Sequence, residues 1–274
     1  MATQIILSLA DGREAAIANS PSPSVIRTRR DRVLAARLPV VPEKYPWYPR
    51  LKAVADFVVA ALLTIPALPL VLLAALAVKL TSRGPAFYTQ TRVGKDGRTF
   101  AIIKLRSMFF ECESLTGPRW CVPGDSRVTF VGYILRKTHL DELPQLINVL
   151  RGEMSLIGPR PERPEFIPDL ERALPSYRQR LNVRPGVTGL AQVQLPPDTD
   201  LESVRRKLAH DLFYVRRLGP WMDLRLLVCT AFYAIGLPFG IVGRLLGLPA
   251  SGEIERSTRD LVPDAPVNRQ RLAA

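Results

Sequence analysis

The chain has 274 residues, enough for one large or two small domains with a sizeable core. Its 38 basic residues against 25 acidic ones give a formal net charge of +13, which suits an anionic membrane surface, a phosphorylated ligand or nucleic acid. Three cysteines with no CxxC pair, and only two histidines, argue against a disulfide framework, a zinc site or a histidine-rich metal centre and favour a reducing compartment.

Residues 1–45 are rich in Ser, Pro, Arg and Ala without a sustained period, and read as a mobile basic arm suited to anionic lipid. No secretory or twin-arginine signal is expected: the first apolar run is short, and Arg29-Arg30 is followed by Asp31 and Arg32. YPWYPR, at 45–50, supplies aromatic and basic anchors of headgroup type. Residues 57–78, FVVAALLTIPALPLVLLAALAV, form 22 uncharged positions, long enough to cross a bilayer core. Pro66 and Pro69 fall at the centre, where each removes a helix hydrogen bond, and Leu68-Pro69 marks the expected break. Arg50 and Lys52 lie before the run, and Lys79, Arg83, Arg92 and Lys95 lie after it. Basic flanks mark the cytoplasmic side, and here they mark both ends. Residues 46–82 are therefore expected to form a re-entrant helix-break-helix hairpin in one leaflet, with a kinked full span as the competing geometry.

Beyond it, AFYTQTRV and RTFAIIKL flank GKDG and predict a β-hairpin. Residues 111–128 read as a loop, 130–138 and 143–150 as short helices, and 162–182 as mainly helical. RPGVTGLAQV (184–193) reads as a turn leading into a strand-like run, and 201–218 as an arginine-rich amphipathic helix. The apolar stretch 226–243, broken by Pro238 and three glycines, suits an interfacial segment. From Ser251 the chain is polar and expected to be disordered.

The chemistry centres on KTHLDELPQLINV (137–149). Pro144 is tolerated in a first helical turn, which puts Asp141 and Glu142 at a helix N-terminus that favours anions and keeps a carboxylate ionised. Taken alone, such a pair is an N-cap with a first-turn acid. Arg136 and Lys137 upstream, Arg160 and Arg163 in SLIGPRPERPEF, and Arg184 in NVRPGVTGL add guanidinium forks and Pro/Gly turns suited to phosphate. Together they point to a pyrophosphate with a divalent metal, Mg²⁺, which needs few protein carboxylates.

LRKTHLDELPQLINVLRGEMSLIGPRPE followed by VRPGVTGLAQV, with QTRVGKDGRTFAIIKLRSM and DSRVT upstream, resembles the bacterial sugar transferases, the monotopic polyprenyl-phosphate phosphoglycosyl transferases. The similarity runs from about residue 52 to residue 230. It implies an α/β, mainly α, fold: a re-entrant membrane helix, interfacial amphipathic helices and a small cytosolic catalytic domain (83–230) with a β-hairpin, then an interfacial segment (231–250) and a tail (251–274). It implies that Asp141 attacks the β-phosphate of a UDP-sugar and carries the phosphosugar to undecaprenyl phosphate, the first membrane step of exopolysaccharide, capsule, O-antigen or glycoconjugate assembly. Glu142 is expected to act at the metal or in proton handling, with Asp141 and Glu142 as Mg²⁺ ligands. Arg136, Arg160, Arg184, Pro185 and Gly186 match phosphate-binding and architectural positions, joined by Lys104 and Arg106 of the KLRSM motif. The implied location is the bacterial inner membrane, with the site on the cytoplasmic face; an anionic bilayer is the surface partner, and a homodimer is allowed. The sequence departs from the family at Leu68, where a small polar residue is frequent, and at Leu190, where Trp is common in some relatives. The rival readings are a polytopic phosphotransferase or a CDP-alcohol phosphatidyltransferase, both of which need several spanning helices and the latter a spaced aspartate signature not found here, and a non-catalytic basic membrane-surface scaffold. No nucleic-acid partner is expected, because aromatics are not interleaved with the basic loops.

Overall fold

In a computed structural model the described residues are 45–262, apart from 46, 115–116, 118, 120, 123, 235 and 238. The basic arm up to residue 44, Pro46, Pro238 and the tail from 263 lie outside that set. The longest element is α1 (Tyr48–Thr81), 34 residues that run through both Pro66 and Pro69. The expected division into two helices is thus corrected: one helix carries both prolines. Each proline removes only its own N–H donor, so the turns on either side stay bonded. Thr64 Oγ1 adds a bond to Ala60 O at 2.7 Å just before them.

One face of α1 is buried. Asp56, Ala60, Ala67, Ala74 and Val78 recur at helical spacing and face protein, while Leu62, Ile65, Leu73 and Leu80 stand exposed. The first half of α1 joins the main core with Val149, Met154 and Leu156. Its last turns join a second cluster with Leu105 and Leu135. Only 17% of its most apolar window is buried, so α1 is no core helix of a water-soluble body and marks membrane association.

The hairpin forms as expected. β1 (Phe87–Val93) pairs antiparallel with β2 (Thr99–Leu105), from Phe87 opposite Leu105 to Val93 opposite Thr99. Its turn needs two positive φ angles in a row, supplied by Asp96 (56°) and Gly97 (76°). α2 (Phe130–Lys137) starts at Thr129, whose side chain accepts the Gly132 N–H. His139, at φ 57°, then reverses the chain into a 3₁₀ helix (Leu140–Gln145), which continues as α3 (Leu146–Leu150). The predicted single helix from 143 is therefore a tight 3₁₀ turn followed by a short α-helix, as a proline without a donor favours.

β3 (Ser155–Ile157) pairs parallel with β4 (Gly186–Thr188). Between them lie α4 (Ile167–Ala173) and a 3₁₀ helix (Tyr177–Asn182). The strand-like run expected within 184–193 forms as β4 alone; from Leu190 the chain is instead α5 (Leu190–Gln194), entered through extended Gly189. α6 (Leu201–Arg216) opens with an Asp200/Ser203 capping box and buries Val204, Leu208 and Leu212. The second apolar stretch forms α7 (Pro220–Ala234) and α8 (Phe239–Leu245), so a helix crosses residue 230. Trp221, Leu224, Phe232, Ile241 and Leu245 are exposed along this pair. The expectation of disorder from Ser251 is corrected as far as 262: α9 (Ser251–Ser257) packs against α6, with Ile254 fully buried and Val262 at 2% exposure. Polar composition hid two apolar anchors, Ile254 and Val262, that suffice to dock a short helix.

Candidate active site

The acid pair lies in the first turn of the 3₁₀ helix, between β2 and α3. Glu142 Oε1 accepts from Lys104 Nζ at 2.7 Å and from Arg160 Nη2 at 2.5 Å, and its Oε2 accepts from Arg160 Nη1 at 3.2 Å. Arg160 thus grips Glu142 with both tips of its fork. Burial alone would push the Glu142 carboxyl up, but Arg160 and Lys104 hold it well below the usual carboxylate range. Lys104 is itself pushed down by burial, with Glu142 opposing.

Asp141 is 7% exposed, and its carboxylate takes no hydrogen bond or ion pair among the described residues. Burial, and then the Glu142 charge, push its pKa upward, while Lys104, Arg136 and Arg160 pull the other way. The sequence expectation that a helix terminus keeps Asp141 ionised is therefore opposed by desolvation. A two-turn 3₁₀ helix carries too small an aligned dipole to reverse that.

The other expected residues divide. Arg136 Nε donates to Ser107 Oγ at 2.8 Å, and Nη1 lies 2.9 Å from Cys121 Sγ. Arg106 is buried and gives its donors to main-chain carbonyls of Pro85 (2.6 Å) and Ser82 (3.1 Å), fastening the exit of α1 rather than joining the acid pair. Pro185 and Gly186 act through their backbone, and the Arg184 side chain takes no hydrogen bond or ion pair among the described residues. Ser155 N donates to Pro185 O at 2.8 Å, and a Cβ on Gly186 would sit 2.1 Å from Gly158 N, so the two loops touch where only glycine fits. A second ionic cluster, absent from the sequence reading, joins Glu113 to Arg127 (3.3 Å) and Arg163 (3.0 Å), with Arg127 also paired to Asp125.

A buried network fastens the start of α1 to the catalytic body. Lys52 Nζ lies 2.6 Å from Asp223 Oδ2, Tyr48 OH and Tyr214 OH donate to the same carboxylate, and Asp56 accepts from Ser155 Oγ (2.7 Å) and Leu156 N. Lys52, which the sequence reading takes as a cytoplasmic flank, is turned inward. Asp56, an acid at the edge of an apolar run, was the available signal for this lock. No cluster of three or more His, Cys, Asp or Glu side chains suited to a metal occurs among the described residues.

A profile of the bacterial sugar transferases matches residues 47–236, from the start of α1 to the end of α7, and the chain belongs to that family. A UDP-glucose:undecaprenyl-phosphate glucose-1-phosphate transferase of Caulobacter vibrioides is 48% identical over 183 residues, covering 65% of this chain and 67% of that one. A UDP-N-acetylgalactosamine-undecaprenyl-phosphate N-acetylgalactosaminephosphotransferase of Aeromonas hydrophila is 44% identical over 174 residues, 63% of this chain. An exopolysaccharide production protein of Rhizobium leguminosarum is 41% identical over 167 residues, 59% of this chain and 84% of its own. The match spans only 41% of the Aeromonas relative.

Proposed function

We propose that this protein transfers a sugar-1-phosphate from a UDP-sugar to undecaprenyl phosphate, initiating assembly of a polysaccharide, through a covalent intermediate on Asp141. The observation that carries the reading is a largely buried aspartate whose carboxylate has no protein partner, beside an acid already paired with Lys104 and Arg160. An oxygen of Asp141 attacks the β-phosphorus of the donor. The bond from that phosphorus to the bridging oxygen breaks, and its electron pair leaves with UMP. A phosphate oxygen of undecaprenyl phosphate then attacks the same phosphorus, the bond to Asp141 breaks, and the carboxylate is restored.

In this scheme Glu142 holds Lys104 and Arg160 in place. Arg160, with 37% of its side chain exposed, keeps N–H donors beyond those on Glu142 for phosphate oxygens. Mg²⁺ fits the donor set, because Asp141 offers a free carboxylate and phosphate oxygens complete such a shell; when bound it neutralises charge on the transferring group. Glu142 already accepts three hydrogen bonds, which leaves it about one lone-pair site to offer that shell. The relatives' names divide between glucose and N-acetylgalactosamine, so the donor is to be found with a panel.

The same reading places α1 as a dip into one leaflet, with the site on the cytoplasmic face of the bacterial inner membrane. Support comes from its two ends, which pack on the same body: Lys52 on Asp223 at the start, Val78 with Leu105 and Leu135 at the end. Both prolines lie on the exposed face, where the ring pushes the preceding turn away and favours curvature toward the protein. The exposed apolar side chains of α2, α7 and α8 suit the bilayer surface. The test is release of UMP by purified protein given Mg²⁺, undecaprenyl phosphate and each UDP-sugar in turn. Silence across the panel would refute the assignment.

A further inference from the structure

Four consecutive carbonyls of the turn that carries Arg160 are held from outside it. Pro159 O accepts from Gly186 N at 2.9 Å, Arg160 O from Arg180 Nη2 at 2.7 Å, Pro161 O from Arg92 Nη1 at 3.2 Å, and Glu162 O from Val93 N at 2.9 Å. Prolines 159 and 161 fix φ on both sides of Arg160 and remove two donors that a self-contained turn would use. The direction of the Arg160 side chain is therefore set by whatever grips these carbonyls.

Of the two side chains among those grips, Arg180 is the more deeply placed. It is 3% exposed, its Nη1 donates to Tyr177 OH at 2.7 Å, and its Nη2 lies 2.6 Å from Asp211 Oδ2 on α6. The guanidinium also sits 5.1 Å from the centre of the Tyr177 ring. One side chain thus joins α6, the 3₁₀ helix at 177–182 and the turn bearing Arg160. Stability alone is a weak reason for such a residue, since a buried ion pair can often be replaced by apolar side chains of similar volume without loss. A planar fork that bonds a phenol and a carbonyl at once, with its charge set against a carboxylate, is a stronger one.

We infer that Arg180 is a positioning residue for the transfer reaction. Its contacts are Tyr177, Asp211 and the Arg160 carbonyl, and not the acid pair. It fixes the main chain at Arg160, and so aims the guanidinium that grips Glu142 and faces the phosphates. This inference rests on the role proposed above for Arg160.

The test is a double-mutant cycle on the full-length protein in detergent or nanodiscs, reading UMP release. The variants are Arg160→Ala, the paired replacement Arg180→Met with Asp211→Leu, and the combination of all three. The paired replacement leaves no lone buried charge, so the fold is retained, with Tm within about 3 °C of wild type. Its kcat falls by about tenfold or more with KM for the UDP-sugar nearly unchanged, because a misdirected fork is felt where charge moves onto the leaving phosphate. Added to Arg160→Ala, it costs less than about a further twofold, because its effect runs through a side chain already absent. Full turnover in the paired replacement, or losses that multiply in the combination, would overturn the inference. If the paired replacement unfolds, Arg180→Lys, which keeps the charge opposite Asp211 but lacks the fork, enters the same cycle with the same expected and contrary results. A wild type that releases no UMP sinks the reading of the site and this inference with it. An active wild type with multiplying losses sinks only the inference.

Discussion

Asp141 and Glu142 share a peptide bond and sit in opposite electrostatic situations. Glu142 is held by Lys104 at 2.7 Å and Arg160 at 2.5 Å, which keep it charged, whereas Asp141 is buried without a partner among the described residues and is pushed toward protonation. One acid is built into the frame, and the other is left free to react.

The two acids should therefore fail differently when neutralised. Glu142→Gln leaves Lys104 and Arg160 facing each other without their shared anion. It should lose about 1–3 kcal/mol of stability as well as most turnover. Asp141→Asn should abolish turnover while leaving Tm unchanged or slightly raised, because it removes a desolvated charge and breaks no protein contact. Thermal unfolding alongside UMP release checks both, and a large loss of Tm in Asp141→Asn would contradict this division.

The lock at the start of α1 gives a second prediction. Lys52→Met and Asp223→Asn should each destabilise, and the double variant should show a coupling of about 1–3 kcal/mol, as expected for a direct buried pair. Tyr48 and Asp56 share the network, so the coupling is measured with both intact. Additive losses would show that the 2.6 Å pair carries no net energy.

Topology is checked by labelling. In a background with Cys112, Cys121 and Cys229 replaced, Arg50→Cys and Arg83→Cys in inverted membrane vesicles should both react with an impermeant maleimide. Reaction of only one would establish a full span.

His210 sets a pH dependence. It is fully buried, with its ring nitrogens against Arg206 O, Gln194 Oε1 and Ser251 Oγ, and with Asp211 and Glu255 as neighbouring charges. Burial lowers its pKa below the ordinary 6.5, so the folded state prefers the neutral ring. Its contribution to stability is complete above 6.5 and declines as pH falls from there toward the lower folded-state value. His210→Gln should remove that decline, read as the difference between the two unfolding curves from pH 7.5 to 5.

Much of the local geometry around the candidate site was legible because its parts are local in sequence. The acid pair, Pro144 and the hairpin around Asp96-Gly97 each announce their geometry within a few residues. What was hidden depends on contacts between distant segments. Nothing near Arg180 says that it reaches the carbonyl of Arg160, and Arg106 lies in a motif that looked phosphate-directed until its carbonyl partners were seen. The helix through Pro66 and Pro69 was misjudged because proline propensity was weighed without the stripe of Ala60, Ala67 and Ala74 that packs along one face. The order at 251–262 was missed for the same reason, since two buried apolar side chains outweigh a polar composition.

The central claim is a bond between Asp141 and the phosphosugar. Wild-type protein is mixed with a radiolabelled UDP-sugar and Mg²⁺ in the absence of undecaprenyl phosphate, quenched, digested and mapped by mass spectrometry. The account predicts one sugar-phosphate on the peptide containing Asp141, discharged when undecaprenyl phosphate is added before the quench. Sustained turnover with no adduct on that peptide, or an unchanged rate in Asp141→Asn, would contradict it.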